Sequence, residues 1–194
     1  MVAIRIAVQR DDFDIAGEVR RLAGSDARDI GAIVTFSGIC RDENGRLAAL
    51  ELEHYPGMAE EEIGRIAAEA ASRWPLAAIT VVHRSGRLLP GENIVLVATA
   101  SPHREAAFAA AAFLMDYLKT RAPFWKKEHA ASGKDGWVAA TTSDDHAADR
   151  WALPEQTGGA EGKPRQAPKN ERKRATTARR TASKNESKRS ERQP

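Results

Sequence analysis

Along this 194-residue chain, cations stand at a few places where charge is normally sparse. Arg41 follows the apolar run Gly31–Cys40 (GAIVTFSGIC). His103-Arg104 open a long helical stretch, and Lys119 falls in its last turn. Lys126-Lys127-Glu128 follows the aromatic pair Phe124-Trp125. Each residue has a plain reading. Arg41 suits a hairpin facing water, Lys119 complements the negative end of a helix, and Lys126-Lys127 suit a solvated face over a packed Trp125. The His103-Arg104 pair is harder to explain, because it adds positive charge to the positive pole of a helix, an arrangement that a bound anion relieves. Together these residues describe a site for an anionic, phosphate-bearing ligand.

The elements that must carry them can be read from periodicity. Val2–Gln9 alternates like an opening strand, and Ile15, Val19 and Leu22 follow at helical spacing, closed by Gly24. Gly31–Cys40 and Leu47–His54 read as two strands, and Asn44-Gly45 between them is a hairpin signal. Met58–Trp74 reads as an amphipathic helix with Ile63, Ile66, Ala67, Ala70 and Trp74 inward and Glu61/Arg65 and Glu69/Arg73 paired outward; Pro75 ends it. Strands are expected at Ala77–His83, Asn93–Ala100 and Trp137–Ala140. Ser101-Pro102 supplies an N-cap and a first-turn proline for a helix running to about Arg121. The hairpin favours an α+β fold with antiparallel sheets over a doubly wound one.

That long helix sets a constraint. Arg104 and Lys119 lie roughly 22 Å apart along its axis, so they cannot both touch one small ligand directly. Either they serve different sites, or a symmetric dimer brings one subunit's helix start to its partner's helix end. The second is preferred.

Composition narrows the alternatives. Cys40 is the single cysteine, which excludes an internal disulfide and a multi-cysteine zinc site. No Gly-rich phosphate loop with its lysine, no HExxH and no GxSxG occurs, so neither a metal nor a resident cofactor is expected. No run approaches the roughly 20 apolar residues of a membrane span, and acidic residues interrupt the N-terminus too early for a signal peptide. A cytoplasmic protein is expected. The net charge of +3 averages two regions. Residues 152–194 hold 12 Lys+Arg against 5 Asp+Glu; the remaining 18 and 22 leave residues 1–151 at −4. After Trp151 the only large apolar residue is Leu153, so 1–151 is read as the folded domain and 152–194 as a disordered basic tail. The tail motivates a rival reading as a nucleic-acid-binding arm. The absence of aromatic residues for base stacking and the acidic body count against it.

The runs FSGICRDENG, LELEHYPGM, HRSGRLLPGENIVLV and SPHREAAFAAAAFLMDYLKTRAPFWKKE, in this order and spacing, resemble the large, catalytic subunit of molybdopterin synthase. The resemblance covers nearly all of residues 1–151. It implies an α/β-hammerhead-like fold with an additional antiparallel β-sheet, and a homodimeric core flanked by two small ubiquitin-like carrier subunits (a heterotetramer). The carrier's C-terminal Gly-Gly, as a thiocarboxylate, would supply sulfur to cyclic pyranopterin monophosphate to form the molybdopterin dithiolene. By the same resemblance Lys119 and Lys126 are the catalytic lysines, and both also bind substrate. His103, Arg104, Arg41, Ile39, Cys40, Lys127 and Glu128 complete the substrate-binding set. Cys40 is not a nucleophile in this reading, because the sulfur comes from the carrier. The tail departs from the family pattern.

Overall fold

The computed structural model describes residues 1–24, 27–138 and 150–151. Two four-stranded sheets and three helices make up the fold, an α+β architecture as expected. The first sheet orders β1 (Ala3–Gln9), β4 (Ala78–Arg84), β6 (Asn93–Ser101) and β2 (Ala32–Ile39). β1 runs parallel to β4, and the other neighbours are antiparallel. Every residue of β4 (AITVVHR) is buried, including the polar Thr80, His83 and Arg84, so its sequence does not alternate apolar and polar residues as a half-exposed strand would. The second sheet orders β5 (Gly86–Leu88), β3 (Leu47–His54), β7 (Phe124–Ala130) and β8 (Asp135–Val138), all antiparallel.

The helices cover the first sheet on both faces. α2 (Met58–Arg73) and α3 (Arg104–Thr120) bury Ile63, Ile66, Phe113 and Leu114 against Ile79, Val81 and Val97. On the opposite face α1 (Ile15–Ala23) places Leu22 on Ala78, Ala98 and Ala100. The Asp14 side chain caps α1 by accepting from the Ala16 N–H, and Gly24 closes it at φ 65°, a region glycine enters without steric cost.

Three local expectations differ from the structure. β2 and β3 do not pair as a hairpin: β2 joins the first sheet and β3 the second. The turn itself forms, with Glu43, Asn44 and Gly45 all at positive φ and the Asp42 carboxylate accepting from the Asn44 N–H. The register of β2 shifts at Gly38/Ile39, and the Cys40 backbone then bonds to Glu92 and Gly91 just ahead of β6, before the chain turns. Helix α3 starts at Arg104 with His103 as its N-cap, because Ser101 completes β6 and its hydroxyl donates to the Pro75 carbonyl. Arg65 pairs with Glu62 and Glu69 rather than with Glu61, while Glu69–Arg73 pairs as expected. The short β5 and the strand character of 124–130 were not anticipated. Among the described residues no helix is long and apolar enough to cross a membrane. The tail reading for 152–194 lies outside the described residues, as do the last two residues of the strand expected at Trp137–Ala140.

Candidate active site

A cavity of about 190 Å³ opens where the two sheets and the end of α3 meet. Its walls are mostly apolar: Phe36 from β2, Leu50 and Leu52 from β3, Val95 from β6, Met115 and Leu118 from α3, and Phe124 from β7. Three titratable side chains line it: Lys119, Lys126 and His83, and no carboxylate does so among the described residues. An apolar cleft with a few placed polar groups is the usual form of a small-ligand site. Cations held there stabilise negative charge more strongly than they would in open water.

The two lysines arrive by different routes. Lys119 is exposed in the last turn of α3, two residues before the chain leaves the helix at Arg121. Lys126 is half-buried on β7, where alternation puts Phe124, Lys126 and Glu128 on one face and Trp125, Lys127 and His129 on the other. Lys127 therefore points away from this cavity and pairs with Asp135 at 3.8 Å. Glu128 lines an adjoining cleft with Glu43 and Arg46. The segment after β2 lies beside it: Cys40 is buried, and burial together with Glu92, Glu128 and Glu43 pushes its thiol above the ordinary value. A thiol so raised is a poor nucleophile. Ile39 is exposed, and the exposed Arg41 pairs with Glu43 at 2.7 Å.

His103 and Arg104 are exposed at the opposite end of α3, in a shallow cleft with Gly31, Pro102 and Glu105. The helix between Arg104 and Thr120 is unbroken over 17 residues. Within one chain, then, the fold gathers Lys119 and Lys126, sets Ile39–Arg41 and Glu128 nearby, and keeps His103-Arg104 apart.

His83 was missed by the sequence reading. Its ring is buried and stacked on Phe124, with centroids 3.9 Å apart and planes 15° from parallel. Its Nδ1 donates to the Arg84 carbonyl at 2.8 Å, since a carbonyl can only accept. Burial holds its pKa down to about 4, with smaller contributions from Lys126 and His54, so the imidazole is neutral at pH 7. The available signal was a histidine directly after the apolar pair Val81-Val82 of a strand.

The MoaE protein family model matches residues 8–121, which include both Lys119 and the cavity-lining stretches of β2, β3, β4 and β6. The molybdopterin synthase catalytic subunit of Mesorhizobium japonicum is 63% identical over 152 residues, covering 78% of this chain and 95% of that protein. The chain belongs to the MoaE family. A solved MoaE structure from Burkholderia ambifaria, described as a molybdopterin biosynthesis protein, superposes with a TM-score of 0.65 at 51% identity, covering 79% of this chain and 99% of that one. The crystal structure of molybdopterin synthase from Staphylococcus aureus aligns at 29% identity with a TM-score of 0.63, over 69% of this chain and 96% of the other. MoaE relatives thus share the two-sheet fold. Residues 152–194 lie beyond the matched family segment.

Proposed function

We propose that this chain is the catalytic subunit of a molybdopterin synthase, an enzyme of molybdenum cofactor biosynthesis that transfers sulfur. The sulfur donor is the C-terminal thiocarboxylate of a small ubiquitin-like carrier, and the acceptor is cyclic pyranopterin monophosphate. The observation that carries this reading is the convergence of Lys119 and Lys126, from a helix end and a strand, on one apolar cavity in a member of the MoaE family. A relative named as a catalytic subunit also implies a second subunit to work with.

The chemistry suits the residue types. The acceptor carries a phosphate, and transfer from an acyl thiocarboxylate passes through thiolate and oxyanion species. Ammonium groups in a cleft with apolar walls stabilise that charge as it develops, and a lysine can also move a proton during acyl transfer. Glu128, two residues beyond Lys126 on the same face of β7, and the Ile39-Cys40-Arg41 segment, directly after the cavity-lining Gly38, complete the substrate site. Lys127, whose side chain faces away toward Asp135, does not reach this cavity within its own chain.

His103 and Arg104 join the site from a second copy of the chain. Arg104, Phe108, Ala112, Met115 and Lys119 fall within about 80° of one another around α3, at 100° per residue. That stripe is the less buried face of the helix, and Phe108 on it is 64% exposed. Two such helices laid antiparallel about a two-fold axis would cover the apolar middle and bring Arg104 of one copy to Lys119 of the other. Exposed Phe36 and Ile39 on β2, an edge strand of the first sheet, extend the apolar surface available to that partner. Residues 1–151 form the catalytic domain, acting in the cytoplasm, and 152–194 is an extension that the reaction does not use. The nucleic-acid reading of that extension gains nothing from the family assignment.

The deciding assay mixes the purified protein with thiocarboxylated carrier and the pterin precursor and measures molybdopterin. Product formation is expected. Its absence with a carrier shown to be competent would overturn the reading.

A further inference from the structure

Ile94 and Val95 follow one another in β6, yet both line the cavity, where regular alternation would turn one of them away. The register shift of β2 against β6 accounts for this. Gly38 pairs with Val95 and Ile39 with Asn93, so Ile94 has no partner on β2. The turn 89–92 holds the shift by gripping Cys40 at both of its backbone polar groups. The Cys40 N–H donates to the Glu92 carbonyl at 2.9 Å, and the Gly91 N–H donates to the Cys40 carbonyl at 2.7 Å. One side chain closes that turn. The Glu92 N–H donates to the Leu89 carbonyl at 3.0 Å, and the Leu89 N–H donates to the Glu92 carboxylate at 2.7 Å. The same carboxylate lies 3.8 Å from the guanidinium of Arg84, buried at the end of β4. That guanidinium donates to the carbonyls of Arg10 and Asn93, and the Asn93 side chain donates to Asp12 at 3.0 Å. Glu92 thus ties the turn to a braced end of the first sheet.

We infer that Glu92 is a positioning residue for the substrate-binding segment: by closing the turn 89–92, its carboxylate presents the two backbone groups that hold Ile39-Cys40-Arg41 beside the cavity. Glu92 itself does not line the cavity, so it acts only through the segment it holds. A backbone N–H bonded to a carboxylate is a charge-assisted pair, stronger than the neutral bonds around it. Without that bond the turn keeps a single internal hydrogen bond, and Gly91, at φ 92°, adds no stiffness of its own. The grip on Cys40 then weakens, and Arg41 beside it loses its support.

The consequence for catalysis rests on the sulfur-transfer reading, but the physical test does not. Cys40, the single cysteine, is buried in the gripped segment, so its rate of reaction with the aromatic disulfide dithionitrobenzoate reports release of that segment. Glu92→Ala removes the acceptor, whereas Glu92→Gln keeps an oxygen for the Leu89 N–H. Both remove a charge that raises the Cys40 thiol, so the difference between them reads the grip alone. The Glu92 side chain is partly exposed, so both variants keep the fold. The Ala variant should react roughly fivefold faster than the Gln variant, the usual effect of one hydrogen bond on a local opening. Leu22→Ala, on α1, controls for general destabilisation: it should lower the melting temperature and leave the reaction rate at the wild-type level. In turnover, Glu92→Ala should raise KM for the pterin precursor roughly tenfold with kcat within about twofold, because binding contacts loosen while Lys119 and Lys126 stay in place. Glu92→Gln should return KM toward wild type. Equal reaction rates in the Ala and Gln variants would overturn the inference, as would a fall in kcat at unchanged KM. Acceleration by Leu22→Ala as great as by Glu92→Ala would also overturn it, by showing a general opening. A wild-type protein that makes no product would remove the sulfur-transfer reading, and the Cys40 comparison would still decide whether Glu92 holds the segment.

Discussion

Lys119 and Lys126 differ in setting, and their substitutions should differ accordingly. Lys119 is exposed at a helix end, so Lys119→Ala should abolish product formation while shifting the melting temperature by no more than a few degrees. Near wild-type turnover would remove Lys119 from the catalytic assignment. Lys126→Ala should cost far more activity than Lys127→Ala, because alternation along β7 sends Lys127 to Asp135 on the reverse face. Steady-state rates for the two variants side by side check this. His83 makes a separate prediction about stability. Its folded pKa of about 4 lies below its ordinary 6.5, so the unfolded chain takes up a proton that the folded one refuses. Stability is therefore complete above about pH 6.5 and is lost as pH falls toward 4, by roughly 3 kcal/mol for a shift of this size. Denaturant titrations at several pH values should show this loss, and His83→Phe should flatten that part of the curve.

At the scale of elements, α3 is the decisive piece. Its buried side, with Ala107, Ala110, Phe113, Leu114 and Tyr117, anchors it to the first sheet, while its ends carry the two halves of the proposed substrate site. An unbroken helix of 17 residues keeps those halves apart in one chain, which is why the proposed site draws on a second copy. Complementation tests this directly. Inactive Arg104→Ala and Lys119→Ala homodimers, dissociated and reassociated together, should recover about a quarter of wild-type activity under the two-fold arrangement. Demonstrated exchange of subunits without recovery would place each pocket within a single chain.

At the scale of the whole molecule, the described chain closes on Trp151. Its indole packs edge-on against Trp74 and Phe113 at 5.7 and 5.6 Å and donates to the Asp116 carboxylate at 2.7 Å. Arg73 donates to its carbonyl, and Arg150 pairs with the same Asp116. This clasp joins α2 to α3 less than one turn from Lys119. A stop after Trp151 should therefore leave kcat and melting temperature close to those of the full chain, because the 43 residues removed contain one large apolar side chain. A stop before Arg150 should lower stability by about 3 kcal/mol, the usual cost of deleting a packed tryptophan. Thermal melts of both truncations, with the product assay on the first, make the comparison. A large fall in rate on removing 152–194 alone would show that the tail takes part in the reaction.

Much of this protein was legible from local pattern. Helical spacing and capping signals located the three helices to within a few residues, apolar runs located five strands, and Lys119 and Lys126, which line one cavity, were among the cations the sequence set apart. These features depend on neighbours a few residues apart, so one chain segment carries the information. The partition of strands between two sheets did not, and Asn44-Gly45 misled because a turn sets local φ and ψ but not which edge the next strand finds. β7 was missed for a similar reason: FWKKEHA carries charge on both faces and becomes a strand by pairing with β3, over seventy residues earlier in sequence. His83 and Trp151 were silent because their importance lies in what they touch, Phe124 and Asp116, across distances that only tertiary packing closes.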